Sequence, residues 1–180
     1  MTNGEKGKVI KSLKVGDVLN LKPSGLRVIV TDKPETCNEF GCYCGGAMVH
    51  TRTEDGEYEE VTCKNDFTVS KKRGVVVNKE RSDGYIFSVL AFSKKKMAVS
   101  AGCRELPSVE AALDYWHDDY KVNLENERIF GDRRLKLNQE SRKLVTTLAA
   151  RALKKLESAA PSEARKVAKK KKSVKKKSRG

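Results

Sequence analysis

The segment Tyr85 to Phe92, "YIFSVLAF", has a single serine among otherwise apolar and aromatic residues. Side chains of a β-strand point alternately to opposite faces, so a run with almost no polar alternation has to be covered on both. "GYIFSVLAFS" therefore reads as a central strand. "GVVVNKE" ahead of it reads as a neighbouring strand, Lys94 to Lys96 as a basic turn, and "MAVSAGC" as a returning strand. Gly84 to Cys103 is thus expected to be an antiparallel hairpin.

A helix is expected next, over "PSVEAALDYWHDDY". Ser108 is a suitable N-cap, and Glu110 places negative charge in the first turn, where it complements the helix dipole. Val109, Ala112, Leu113, Trp116 and Tyr120 recur at helical spacing on one face, which should pack on the hairpin. That periodicity assigns Trp116, the only tryptophan, to the core rather than to a base-stacking platform. "NQESRKLVTTLAARALKKLESAAP" is a long amphipathic helix. Leu144, Val145, Leu148, Ala149, Ala152, Leu153 and Leu156 form its apolar stripe, and Pro161 stops it. Between the two helices, Lys121 to Leu137 shows no clear period.

The first half is punctuated differently. "LKVGDVLNLKPSGLRVIVTDK" reads as two strands around a Pro23 and Gly25 turn, with Leu26, Val28 and Val30 sharing a face. "AMVHTRTEDGEYEEVTC" is a hairpin turning at Asp55-Gly56, and Asp66 to Ser70 is a last short strand. Five short strands with polar turns and little helix potential predict a small closed or half-closed barrel. "LKVGDVLNLKPSGLRVIV", with its Val15-Gly16-Asp17 turn, resembles the opening of small SH3-like barrel proteins over roughly the first 70 residues. This chain departs from them by inserting "PETCNEFGCYCGGA" between the second strand and the hairpin. Such barrels bind nucleic acid or peptides, so the resemblance implies a fold and not an activity. "AVSAGCREL" followed by "PSVEAALDYW" resembles short segments of uncharacterised phage and bacterial accessory proteins. That likeness implies a phage-encoded product without naming a reaction.

The fold class expected is therefore α+β: a small SH3-like barrel over residues 1–73, a hairpin and two-helix unit over 74–160, and a basic tail over 161–180. The polar "KKRG" segment, Lys71 to Gly74, joins the first two.

Charge is distributed unevenly. The chain has 38 basic and 24 acidic residues, a formal net charge of +14. Ten of the basic residues lie in "ARKVAKKKKSVKKKSRG": Arg165, Lys166, Lys169, Lys170, Lys171, Lys172, Lys175, Lys176, Lys177 and Arg179. No acid accompanies them, so the body is nearly balanced. Like charges at this density repel, and too few apolar residues are present to order them, so the tail is expected to be disordered when free. Its chemistry suits a polyanion, nucleic acid first, through sequence-independent phosphate contacts. Arg151, Lys154 and Lys155, with Arg142 and Lys143, extend the basic surface onto the second helix.

The five cysteines are an odd number, and no apolar signal segment precedes them, so a disulfide framework is not expected. Cys37, Cys42, Cys44 and Cys63 are four soft ligands that a structural zinc would use, with His50 as a substitute. Their spacing lacks the paired Cys-x-x-Cys pattern, and the insert reads as a loop of small half-buried thiols. No phosphate-binding glycine loop or paired-histidine motif is present. Asp114, Asp118 and Asp119 cluster near His117, and a metal-dependent nuclease could use such acids, but helix-end acids of this kind are more often solvent-facing and inert. Cys103 beside Arg104 lacks an identified base.

These features predict a non-enzymatic nucleic-acid-binding accessory protein without cofactor, cytoplasmic and nucleic-acid associated, or nuclear in a eukaryotic cell. The alternative is a protein-interaction or inhibitor module acting on a host protein, with the tail holding it near nucleic acid. No stretch approaches the apolar length that spans a bilayer, so no membrane partner is expected. Elemental analysis of protein purified without chelator checks the cysteine reading: a plain loop should carry less than about 0.1 equivalent of zinc, whereas a closed site retains close to one.

Overall fold

The computed structural model describes residues 1–37, 46–102, 104–125 and 127–159. Its elements in chain order are α1 (Asn3–Ser12), β1 (Val18–Lys22), β2 (Arg27–Val30), β3 (Met48–Thr53), β4 (Tyr58–Thr62), β5 (Asp66–Val69), β6 (Val75–Glu80), β7 (Ile86–Ser93), β8 (Lys96–Ala101), β9 (Arg104–Leu106), α2 (Val109–Glu125) and α3 (Glu127–Ala159). The fold is α+β, with two antiparallel sheets ordered β4-β3-β2-β1-β5 and β6-β7-β8-β9.

The first sheet is curled and not closed: β4 and β5 are its edges, and they do not pair among the described residues. Leu19, Leu21, Val28, Val30, Val49, Val61 and Phe67 fill its concave core. One end is plugged by α1, whose Ile10, together with Leu13 at its C-cap, joins that cluster. The sequence reading allowed little helix here, because Gly4 and Gly7 dilute a short stretch with few apolar residues. A signal was nevertheless present. The Thr2 side chain accepts from Glu5 N, and the Glu5 carboxylate accepts from Thr2 N at 2.6 Å, a reciprocal capping box. Lys6, almost fully buried, leaves α1 to pair with Asp66 at the start of β5.

β7 sits inside the second sheet, between β6 and β8. Its odd-numbered residues Phe87, Val89 and Ala91 join Val77, Val99 and Ala101 beneath α2 and α3. Its even-numbered residues Leu90 and Phe92 join Ala98 on the opposite face, against Val18 and Ile29 of the first sheet. From Phe87 to Phe92 both faces are thus covered, one by helices and the other by a sheet, whereas Tyr85 and Ile86, at the start of the apolar run, stand 52% and 57% exposed because neither layer reaches them. The same contact corrects the reading of β2. Ile29 is as fully buried as Val28 and Val30, while Leu26 lies before the strand and is exposed. Alternation predicts one buried face; the second sheet buries the other.

The hairpin expected over Gly84 to Cys103 is extended by β9, which pairs with β8 (Val99 opposite Leu106) and makes a four-stranded sheet. Three residues are too few to show a period. α2 begins as expected: Ser108 Oγ accepts from Ala111 N at 3.0 Å, and Ala112 and Trp116 are buried. Trp116 packs on Phe87, with ring centroids 5.2 Å apart, and edge-on to Tyr115 at 5.3 Å. Lys121 to Leu137, which shows no period, holds the end of α2 and the first turns of α3.

Lys71 to Gly74 is anchored to the first sheet at its C-terminal end, while Lys71 and Lys72 are exposed. Arg73 Nε pairs with Asp17 at 2.8 Å, and its guanidinium donates to Val15 O at 2.9 Å, clamping the Val15-Gly16-Asp17 turn. Gly74 N donates to Gly16 O at 2.8 Å. A Cβ on Gly74 would lie 2.5 Å from Ile29 Cδ1 and 2.8 Å from Ala91 O, so the two sheets meet too closely for any side chain there. Residues 1–73 and 74–159 therefore share a core rather than merely adjoin.

Two outcomes follow from that shared core. Leu90→Ala should lower stability by about 2–5 kcal/mol. In urea, Trp116 fluorescence, which reports on the helix-covered face, and amide hydrogen exchange of β1 to β5, which reports on the first sheet, should show one coincident transition. Two separated transitions would mean that the sheets unfold independently.

Candidate functional site

The apolar stripe of α3 is buried as its period requires: Leu144, Val145, Leu148, Ala149 and Ala152 pack on the second sheet. Its opposite side presents Arg142, Lys143, Arg151, Lys154 and Lys155, all exposed. None of these five forms an ion pair among the described residues. The nearby acids are engaged elsewhere. Glu140 accepts from Ser82 N at 3.1 Å and from Ser82 Oγ at 2.6 Å, and Glu157 accepts from Lys94 Nζ at 2.7 Å. The Lys94 hydrogen bond and charge hold the Glu157 carboxyl below its usual range.

The Lys94–Glu157 contact also sets the geometry. It brings the basic β7–β8 turn, with Lys95 exposed, to the end of α3 that leads into the tail. From Arg142 to Lys155 the helix rises about 20 Å. That is the axial length of roughly six phosphates along one strand of a duplex. Arg165, Lys166, Lys169 to Lys172, Lys175 to Lys177 and Arg179 lie outside the described residues.

The proposed zinc ligands are divided. Cys37 and Cys63 are buried beside the first sheet, while Cys42 and Cys44 lie outside the described residues, as does Cys103. His50, on β3, has its Nδ1 against the Tyr58 hydroxyl, which donates to Glu60 at 2.7 Å. No group of three or more histidine, cysteine or acidic side chains that could hold a metal occurs among the described residues. The helix-end acids do not converge either. Asp114 and Asp118 are exposed, with Asp118 3.8 Å from Lys121, while Asp119 turns to Asn123, accepting from its Nδ2 at 3.0 Å. The Nδ1 of His117 is buried without a hydrogen-bond partner among the described residues.

A second polar site lies on the other flank of α3, where sequence reasoning placed nothing. A cavity of about 290 Å³ opens between the second sheet and the two long helices. Arg81, Arg104 and Arg134 line it, with aromatic walls from Tyr85, Tyr115 and Trp116. Arg81 is fixed. It donates to both Asp83 oxygens at 2.7 and 2.5 Å and to Ser141 Oγ at 2.6 Å, and its guanidinium lies over the Tyr85 and Phe87 rings. Arg104 lies over Tyr115, 5.1 Å from the ring centroid, and has no carboxylate partner among the described residues. Asn138, at 4% exposure, also lines the cavity, and its Nδ2 is buried with no hydrogen-bond partner among the described residues. A buried amide donor left unpaired costs about 1–3 kcal/mol, so the arrangement is expensive unless something supplies an acceptor.

These residues come from β9, both long helices and the β6–β7 turn. No local pattern links them in sequence. The one available signal, Arg134 and Asn138 four residues apart on one helix face, falls largely in the stretch without a readable period.

No known family model, curated protein or solved structure matches this chain.

The Arg81–Asp83 pair predicts a pH response. The hydrogen bond from Arg81 lowers the Asp83 pKa against the opposing effect of burial. A carboxylate depressed in the folded state contributes stability that is fully present above its unfolded value of about 3.9 and is lost as pH falls through the folded value. Urea unfolding at pH 6 and pH 3 should show a smaller loss in Asp83→Asn than in the parent chain. An equal loss in both would mean that the pair contributes nothing to acid sensitivity.

Proposed function

We propose that this chain is a non-enzymatic nucleic-acid-binding accessory protein that uses basic side chains for sequence-independent contact with phosphates. One observation carries the reading: Arg142, Lys143, Arg151, Lys154 and Lys155 stand exposed along α3 and form no ion pair among the described residues. They occupy the helix that runs toward the ten basic residues of Ala164 to Gly180, and Lys95 joins them at its end. In an ordinary solvated helix face, acids would be interspersed with bases; here the available acids are turned to Ser82 and Lys94. The strand order β4-β3-β2-β1-β5 favours an SH3-like reading of the first sheet, and the segment from Ala98 to Trp116 favours a phage-encoded origin. Neither identifies a reaction.

A specific feature favours a second reading, a protein-interaction or inhibitor module. Tyr58, Tyr85 and Ile86 are 46%, 52% and 57% exposed around Arg52. Tyr85 and Ile86 line an open cleft of about 470 Å³ with Arg52, whose guanidinium also lies over the Tyr58 ring.

A salt titration separates the two readings. If half of the ten tail charges engage duplex DNA, log affinity should fall against log salt with a slope of roughly −4 to −5, since each contact contributes about −0.9. Truncation after Glu163 should flatten the slope and weaken two unrelated sequences alike. Combined Lys143→Ala, Arg151→Ala and Lys154→Ala should remove up to about 3 units of slope from the full chain. An unchanged slope in both variants would transfer the function to the Tyr58, Tyr85 and Ile86 surface.

A further inference from the structure

We infer that the cavity between the second sheet and the helices α2 and α3 binds a phosphate monoester carrying a free hydroxyl, such as a nucleotide or sugar phosphate. It is a site separate from the basic face of α3. Two independent features point to it. The first is the convergence of guanidinium groups from three segments: Arg81 before β7, Arg104 on β9 and Arg134 on α3. The second is the Asn138 amide, a buried donor on the cavity wall with no acceptor among the described residues.

The charge arrangement selects the ligand class. Asp83 satisfies Arg81 through both of its oxygens, so Arg81 acts as a rigid wall. The Arg104 guanidinium lies over the Tyr115 ring, a cation–π contact that consumes none of its N–H donors in an ion pair. A guanidinium presents a planar fork of donors that matches two oxygens of a phosphate. A carboxylate is planar and carries one negative charge. A phosphate monoester carries up to two, and its tetrahedral oxygens can meet the Arg104 fork on one side and the Asn138 amide on another.

Asp119 adds a condition. It is the acidic lining residue, and it would repel a bare anion. One of its oxygens is occupied by Asn123 Nδ2 at 3.0 Å. The carboxylate retains acceptor capacity, which a ligand hydroxyl would satisfy. The ligand should therefore carry a donor as well as its phosphate, and a volume of about 290 Å³ is suited to a mononucleotide rather than to a bare ion. A free mononucleotide and the phosphorylated end of a strand present the same chemistry.

Trp116 lines the cavity and is the only tryptophan, so its emission reports on occupancy of this site while remaining blind to phosphates bound along α3 or the tail. The full-length protein is titrated with 5′-AMP, ribose 5-phosphate, inorganic phosphate and adenosine. It is then titrated with one short oligonucleotide carrying either a 5′-phosphate or a 5′-hydroxyl. The expected result is a saturable emission change with the two phosphate esters, a weaker response to inorganic phosphate, and none with adenosine. A response to the 5′-phosphorylated oligonucleotide but not to its 5′-hydroxyl form identifies a strand end as a ligand; a response to the mononucleotides alone identifies a free metabolite. Arg104→Gln, at an exposed residue, should weaken 5′-AMP at least about tenfold, the loss expected for a charge-assisted hydrogen bond. Asn138→Leu should weaken it without loss of folded circular dichroism. Equal responses to adenosine and 5′-AMP, no saturable change with any phosphate ester, or unchanged affinity in Arg104→Gln would each overturn the inference. The salt slope on duplex DNA should be unaltered in Arg104→Gln, so a failure here is distinguishable from a failure of the α3 interface.

Discussion

Burial of β7 on both faces is the constraint on which the remaining structure depends. Phe87, Val89 and Ala91 require a helical layer on one side, while Leu90 and Phe92 require a second apolar surface on the other. The first sheet supplies that surface through Val18 and Ile29, and in doing so becomes a sheet with apolar residues on both of its own faces. A free-standing barrel would leave those two residues in water. The close approach at Gly74 is the geometric mark of the same contact, since any Cβ there would collide with Ile29 and with the Ala91 carbonyl. Three layers stack in consequence: the curled sheet with its α1 plug, the four-stranded sheet, and the pair α2 and α3.

This stacking also decides where polar chemistry is located. Covering β7 with α2 and α3 forces the stripe of α3 inward and leaves its basic side facing solvent. The same packing is incomplete at one end, where Arg81, Arg104, Arg134 and Asn138 surround a cavity in place of aliphatic core. Stacked guanidinium groups over Tyr85, Phe87 and Tyr115 then extend the aromatic layer that Trp116 begins. The two sites differ in kind. One is a row of solvated cations without fixed geometry, suited to counterion release; the other holds donors at set positions, suited to a ligand of defined shape.

Much of the architecture was legible in the residues. The apolar run gave the central strand, Asp55-Gly56 the first-sheet hairpin, Ser108 the start of α2, and the Leu144 to Leu156 period the body of α3. What was missed shares a cause: short or mixed local signals. α1 is diluted by two glycines, with a capping box as its clearest mark. β9 is three residues long. Lys121 to Leu137 spans the helix-to-helix junction, so no single period runs through it. Ile29 and Leu26 were misassigned because alternation assumes one wet face, and β2 has none at its centre.

By itself, the sequence determined the α+β class, the strand and helix content around β7, the placement of Trp116 in the core, and the concentration of positive charge toward the C-terminus. These depend on local period, turn chemistry and charge count, which neighbouring residues specify among themselves. Only the tertiary structure decided that the two sheets share a core, which acids neutralise which bases, and that Arg81, Arg104, Arg134 and Asn138 meet around one cavity. Those outcomes depend on contacts between segments tens of residues apart, and no local pattern encodes which distant side chain will arrive at a given face.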